Sequence, residues 1–377
     1  MKRLVLLCLC LAVGMQLGKA QISTPPGGAN QKSIVTQYIG AIAHVSIKYN
    51  SPDVTAPNGA DRTGKIWGQL VPYGLNQQNF GLNNPAPWRA GANENTIIKF
   101  SHDMLVQGQP IKAGKYGLHI VVEENGPWTI IFSKNHGAWG SYFYDEAEDA
   151  LRVQATPEQS AFHEWLTYEF IDRQPDHAVA AMRWENIKLP FKIEVANIND
   201  LYVSTIKKEL QGAPGFTWTN WNAAANYCLQ NDTHLEQGLA WADASISTPF
   251  IGIENYTTLA TKAQILAKLQ KTDEAMATMD KAVHHNTATV FQIHGYGRQL
   301  IAQGQKEAAM KIFEYNTERF GEVWPTHVGM ARGYSALGKY DKALKHAEIA
   351  HGQAPDQLNK DNLVQVIEKL KAEQDIN

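Results

Sequence analysis

The chain has 377 residues, 44% of them hydrophobic and 19% charged, with a formal net charge of −3. Such a composition belongs to a water-soluble globular protein long enough for two domains, and it excludes disorder as the main state. A net-acidic chain without basic runs also excludes nucleic acid as the main partner. The N-terminus changes this arithmetic. Met1-Lys2-Arg3 precedes a run from Leu4 to Leu17 that is apolar except for Gln16, and Gly18-Lys19-Ala20 ends it in a small-x-small pattern. Residues 1–20 therefore read as a signal peptide cleaved before Gln21. Cleavage removes three of the 34 basic residues and none of the 37 acidic ones, so the mature charge is 31 minus 37, or −6. Cys8 and Cys10 leave as well, and Cys228 alone remains, which excludes a disulfide framework within one chain. The expected product is exported, periplasmic or surface-associated, with no membrane span.

Residues 21–32 are polar and contain Pro25-Pro26-Gly27-Gly28, a flexible tether. From residue 33 to 197 the texture is that of strands. Ala41, Ala43, Val45, Ile47 and Tyr49 alternate with Ile42, His44, Ser46 and Lys48, a period of two that places the two sets on opposite faces. Similar runs cover 95–100, 116–122, 128–134, 151–155, 164–171, 178–184 and 191–195, separated by turn signals such as Gln107-Gly108-Gln109-Pro110 and Glu124-Asn125-Gly126-Pro127. This predicts an antiparallel, jelly-roll-like β-sandwich, with a closed barrel as the competing β reading.

From residue 198 to 377 the period is helical and the sequence repeats. Gln270, Gly304 and Gly338 stand 34 residues apart, and the same step links Ala263, Gly297 and Ala331, as well as Met279, Phe313 and Ala347. A 34-residue helix-turn-helix unit with small residues where helices touch resembles the tetratricopeptide repeat. A less regular earlier copy spans 223–246, giving about four helix pairs, and 361–374 reads as a capping helix.

Within the strand-rich region, Trp88-Arg89-Ala90-Gly91-Ala92-Asn93-Glu94, Ala113-Gly114-Lys115-Tyr116-Gly117-Leu118-His119 and Trp128-Thr129-Ile130-Ile131-Phe132-Ser133-Lys134-Asn135 occur in order. With Ala138-Trp139-Gly140-Ser141-Tyr142-Phe143 and Pro190-Phe191-Lys192-Ile193-Glu194 they resemble the exported bacterial family called domain of unknown function 2911, common in the Bacteroidetes. The resemblance implies no activity, and it implies that a helical-repeat tail commonly follows. One stretch departs from the family pattern: residues 75–87, rich in Asn and Gln, stand where relatives have only a residue or two. If this insert borders a site, the ligand differs from that of the relatives.

Six tryptophans fall in the β region. Trp128, Trp165 and Trp184 lie inside strand-like runs and read as core, whereas Trp67, Trp88 and Trp139 lie in Gly-rich segments and are the candidates for stacking on a sugar. Arg89 is placed to clamp a carboxylate, with Asn93 and Glu94 taking hydroxyls; the structural alternative is an Arg89–Glu94 pair that holds the loop. His119 and His136 are the best histidines for acid–base chemistry, with His163, Glu164 or Glu123 as conceivable partners. Their spacing fits no zinc signature, Ser133 and Ser141 lie outside any Gly-x-Ser-x-Gly elbow, and the glycines at 295 and 297 make no nucleotide fingerprint, so neither metal nor cofactor is expected. Arg298 and Arg332, one repeat apart, are the candidates for binding an acidic peptide or a carboxylate on the concave face. Cys228 reads as a buried small residue. These residues favour an interaction protein whose β-domain takes a small polar ligand, a glycan or a peptide, and whose repeats dock a protein. The alternatives are a hydrolase built on the His, Glu and Arg residues, and a pure scaffold.

Overall fold

A computed structural model describes residues 30–377; the expected signal peptide and the first nine residues of the tether lie outside it. The chain divides into two compact units at Ile198/Asn199.

The first unit consists of antiparallel strands: β1 (Gln31–Ile39), β2 (Ala43–Ser51), β3 (Asn76–Gln77), β4 (Pro85–Ala86), β5 (Thr96–Phe100), β6 (Met104–Val106), β7 (Gln109–Ile111), β8 (Gly114–Val121), β9 (Trp128–Ser133), β10 (Asp149–Ala155), β11 (Glu158–Arg173) and β12 (His177–Glu194). One sheet has the order β1-β2-β5-β8-β9-β10, the other β11-β12-β6-β7, and β3 and β4 form a separate hairpin. Both large sheets have free edge strands, so the architecture is a sandwich and not a closed barrel. Tyr49 of β2 meets Tyr168 of β11 with ring centroids 4.9 Å apart, and the core between the layers holds Ile47, Ile98, Phe100, Leu118, Phe132 and Phe191, all nearly or fully buried.

Three elements differ from the sequence expectation. β1 begins at Gln31, inside the stretch read as tether, and it pairs along its whole length with β2. The Gln107-Gly108 turn sits at the tip of the β6–β7 hairpin, whose two arms are too short to show a period of two. The runs at 178–184 and 191–195 belong to one strand, β12. They read as separate runs, but the strand continues between them through a bulge: Glu185 adopts φ +53 and its buried carboxylate accepts from the Gly64 N–H. Pro190 falls between the stretch of β12 paired with β11 and the stretch paired with β6, where no ladder donor is required.

The second unit has ten helices: α1 (Ile198–Glu209), α2 (Trp218–Gln230), α3 (Leu235–Ser247), α4 (Tyr256–Lys268), α5 (Thr272–His284), α6 (Val290–Ala302), α7 (Lys306–Phe320), α8 (Trp324–Ala336), α9 (Tyr340–Gln353) and α10 (Gln357–Lys371). α4, α6 and α8 begin 34 residues apart, as do α5, α7 and α9. The turn inside each pair is closed by a residue in the left-handed region: Gly304 at φ +77, Gly338 at φ +69 and, in the first pair, Gln270 at φ +61. The small positions of the repeat are where helices approach. The Phe313 ring, fully buried, lies against Gly297, Gly329 and Gly333 from two neighbouring helices. Cys228 is buried against Gly238, and burial pushes its thiol up to about 11, which leaves it unreactive. Among the described residues no helix is long and apolar enough to cross a membrane.

Candidate functional site

In a six-stranded sheet with one face on the core, alternate residues of β8 should meet solvent. Instead Tyr116 to Val121 are all buried, because the far face of the sheet is covered by the chain before β5 and by residues 135–148. A small apolar cluster of Ala86, Val121, Ile131 and Tyr144 seals this second layer. His119, between core residues Leu118 and Ile120, points into it.

Beneath that cover the polar side chains form a connected set. His119 Nδ1 lies 3.1 Å from Ser141 Oγ, and the imidazole meets the edge of Tyr144 at 5.5 Å. Tyr144 Oη donates to Asp149 Oδ2 at 2.8 Å, and Asp149 also lies 3.6 Å from Arg152. Asn95 Nδ2 donates to the Asn135 carbonyl at 3.1 Å, while Asn95 Oδ1 and Asp149 Oδ1 are buried without a partner. Burial, helped by the Arg89 charge, holds His119 at about 4, so the ring is neutral at pH 7. Burial pushes the Asp149 carboxyl up to about 6 against the pull of the Tyr144 hydroxyl and Arg152. Ser141 and His119 are in contact, yet both are buried, so Ser141 Oγ meets no substrate carbonyl while residues 138–145 stay closed.

The segment from Trp88 to Glu94 is tied into the fold. Trp88 exchanges backbone hydrogen bonds with Ile120 at 3.0 and 2.8 Å, the Ala90 carbonyl accepts from Thr96 and from Tyr168, both at 2.9 Å, and Trp88 Nε1 donates to the Gly91 carbonyl at 3.1 Å. Arg89 Nη1 donates to the Asn93 carbonyl at 2.9 Å, and its guanidinium lies 5.4 Å from the Tyr142 ring centroid. Gly140 is what admits it: a Cβ there would stand 2.6 Å from Arg89 Cζ. Glu94 takes another partner, accepting from Lys32 Nζ at 3.0 Å and Asn50 Nδ2 at 2.7 Å, bonds that hold its carboxyl below the usual range. The Arg89–Glu94 pair weighed from sequence does not form.

Trp67 and Trp88, expected to line a pocket, are half-buried and pack against core tryptophans. Their rings pack with those of Trp128 and Trp184 at centroid separations of 4.9–6.0 Å, Trp88 stacked on Trp184 at 18°. Trp165 reverses its expectation: it is 60% exposed on β11. Trp139 is 56% exposed beside the Arg89–Tyr142 contact. His136 is half-buried in the loop after β9, and no contact joins it to His119. His163 Nδ1 faces the Ala161 carbonyl, Glu164 accepts from the Thr55 N–H, and Glu123 is exposed. Among the described residues no group of three His, Cys, Asp or Glu is placed to hold a metal.

The insert at 75–87 does border this region. Its β3–β4 hairpin carries Phe80, 64% exposed, whose ring packs edge-on to Tyr142 at 5.5 Å and to Phe143 at 6.1 Å, and the Leu82 N–H donates to the Tyr142 carbonyl at 3.0 Å. Phe80, Asp149 and Asn95 were not singled out from the sequence. The insert's departure from the family pattern pointed toward Phe80; nothing local marks the other two.

In the helical unit a groove of about 780 Å³ lies among α4, α5, α6 and α7. Ala263, Met279, Leu300 and Ile312 give it an apolar floor, and Lys268, Asp280, Gln299, Gln303 and Lys311 give it a polar rim. Arg298 is exposed on α6, whereas Arg332 is partly buried on α8 and bonded to residues 376 and 377 of the chain.

The fold defines a protein in two parts, an antiparallel β-sandwich with a covered outer face and a stack of helical hairpins. A sequence model of the family described as Protein of unknown function (DUF2911) matches residues 30–193, from just before β1 to within one residue of the end of β12. No curated protein matches the chain. Solved structures similar to the helical part include YrrB, described as a TPR protein with an unusual peptide-binding site (18% identity, 45% of this chain and 84% of that one, TM-score 0.30). Others are a tetratricopeptide repeat protein from Parabacteroides merdae (15%, 45% and 69%, 0.32) and MamA (13%, 45% and 91%, 0.31). At these TM-scores the repeat architecture rests on the helices themselves.

Proposed function

We propose that this chain is an exported interaction protein with two binding surfaces: the helical stack docks an extended segment of a partner protein, and the β unit binds a small polar ligand, a glycan or a peptide. The observation that carries the reading is the groove among α4 to α7. Its volume is within the range of specific ligand sites, and an apolar floor with an amide and charged rim suits a peptide whose side chains alternate between burial and solvent. On the β unit the support is Trp139, mostly exposed, next to the contact of Arg89 with the Tyr142 ring and the amide-rich insert. A hydrolytic role has less support, since Ser141 and His119 touch out of reach of solvent.

Selection of a displayed peptide library on the full chain tests the docking half. Met276, exposed at the groove, is changed to Glu as the control. Selected peptides should bind the Met276→Glu chain at least tenfold more weakly; selection that yields no groove-dependent binder overturns the reading. For the β unit, glycan-array binding that Trp139→Ala and Arg89→Ala leave unchanged removes the ligand assignment.

A further inference from the structure

Beyond α10 the chain turns back and lies against α8. Ser335 Oγ donates to Asp375 Oδ1 at 2.8 Å and accepts from the Ile376 N–H at 3.1 Å. Arg332 Nη1 donates to the Ile376 carbonyl at 3.3 Å, and Asn377 Nδ2 donates to the Arg332 carbonyl at 3.1 Å. The Ile376 side chain packs against the apolar cluster of Ala331, Ala343, Ala347 and Leu370. An acid, an apolar side chain and an amide in succession are thus each read by a specific group on the repeat surface, the pattern of a bound peptide more than of a trailing end. Burial opposes ionisation of Asp375, but hydrogen bonds from Ser335 and Asn377 outweigh it and hold the carboxyl below its ordinary range.

This face is not charge-balanced. Arg298, one repeat earlier on α6, is exposed with no hydrogen bond or ion pair among the described residues, and its charge together with that of Arg332 helps to hold His294 neutral. The like charge of Arg298 acts on Arg332 more strongly than the carboxylate of Asp375 does. The face is also separate from the groove described above: at 100° per residue, position 298 lies a half turn around α6 from Tyr296 and Leu300, which line the groove.

We propose that the α6–α8 face is a second docking site, for an acidic segment of a partner protein that presents an Asp-apolar-Asn triplet to Arg332 and Ser335 and a further carboxylate to Arg298, and that residues 375–377 occupy half of it as a strap the partner displaces. The inference rests on the reading of the helical stack as a protein-docking surface. Because the strap is tethered, it competes at a high effective concentration, and a partner binds only if its additional contact with Arg298 tips the exchange.

The test uses a fluorescein-labelled, C-terminally amidated peptide of residues 371–377 and the chain truncated after Gln374. The peptide should bind the truncated chain at least tenfold more tightly than the full chain. Arg332→Ala or Ser335→Ala in the truncated chain should remove that gain. A probe with two extra Asp residues at its C-terminal end, beyond the residue that meets Arg332, should bind at least threefold more tightly still, and Arg298→Ala should cancel this further gain. Equal binding to full and truncated chains overturns the proposal, as does no binding to a truncated chain that keeps the helical circular dichroism of the full one. If truncation melts α10, the full chain carrying Asp375→Ala and Asn377→Ala, which removes the side-chain bonds to Ser335 and Arg332 but leaves the Ile376 backbone bonds in place, must show part of that gain or the proposal fails. Groove-selected peptides should bind Arg332→Ala normally. Their retention while the strap probe fails removes this inference alone, and their absence removes the docking reading beneath it.

Discussion

The contact of Phe313 with three glycines allows a sharp test of how the repeats hold together. A methyl group added at Gly297 would stand 2.7 Å from Phe313 Cζ, and one at Gly329 would stand 2.6 Å from Cδ1, so neither helix can carry a Cβ there unless the ring moves. The ring is fully buried and enclosed, and overpacking of this kind costs about 1–3 kcal/mol. Replacing glycine by alanine inside a helix returns about 1 kcal/mol through propensity, so Gly297→Ala should destabilise the helical unit by up to about 2 kcal/mol. Phe313→Leu withdraws the two ring atoms nearest that methyl and should itself cost about 1–2 kcal/mol in lost burial. In the Phe313→Leu background the sign reverses, and Gly297→Ala should stabilise by up to about 1 kcal/mol. The coupling between the two sites is then about 1–3 kcal/mol. Urea unfolding of the four chains of the double-mutant cycle, followed by helical circular dichroism, measures it. Effects that add to within about 0.5 kcal/mol would refute the packing argument.

Three further outcomes are expected. Gln270 occupies the left-handed position that Gly304 and Gly338 fill in the next two repeats, so Gln270→Gly should stabilise the helical unit by about 0.5–1 kcal/mol in the same urea assay. Trp165→Ala should change the stability of the β unit by no more than about 0.5 kcal/mol, since the side chain is 60% exposed, whereas Trp184→Ala should cost about 3–5 kcal/mol; thermal unfolding separates them. Acidification should loosen the helical unit first. Burial and the nearby guanidiniums hold His294 at about 4, and burial lowers His327 and His346, whose Nδ1 atoms lie 2.9 Å apart. A folded value below the unfolded one means that stability is full above about pH 6.5 and lost as pH falls toward 4, about 3 kcal/mol from His294 alone. In the β unit the same loss from His119 is offset by Asp149, whose raised value makes protonation below about pH 6 favour the fold. Hydrogen exchange, resolved by peptide between pH 7 and 4.5, should show α6 to α9 losing protection before β8 and β9 do; the reverse order refutes the assignment.

The 34-residue step was legible because each repeat must present a small residue and a turn-closing residue at the same place. Series such as Ala263, Gly297, Ala331 and Gln270, Gly304, Gly338 carry that requirement on the surface of the sequence. The β layers were legible wherever one face met solvent and the other the core. At β8 the strand was legible but the burial of both its faces, from Tyr116 to Val121, was not, and at Glu185 a bulge continues a strand through polar residues. The tryptophans show why a ring's fate is hard to read locally. Trp67 and Trp88 sit in Gly-rich loops yet are half-buried against the core rings of Trp128 and Trp184, and Trp165 sits in a strand yet is mostly exposed. In the candidate site, His119, Arg89 and Tyr142 were visible as residue types, but their convergence depends on Gly140 and on two distant segments closing over one sheet. No spacing along the chain encodes that closure.

The 75–87 insert has a consequence for how such a protein diversifies. Its ends are pinned by the pairing of Asn76 with Ala86 and of Gln77 with Pro85, so changes in length or composition between them need not disturb the sandwich. Phe80 and Leu82, at the tip, are its points of contact with Tyr142. A lineage, or a protein engineer, can therefore alter what is presented beside Trp139 by exchanging residues 78–80, while Gly81, Leu82 and Asn84, which lie against the Tyr142 and Tyr144 backbone, hold the insert to the layer around His119.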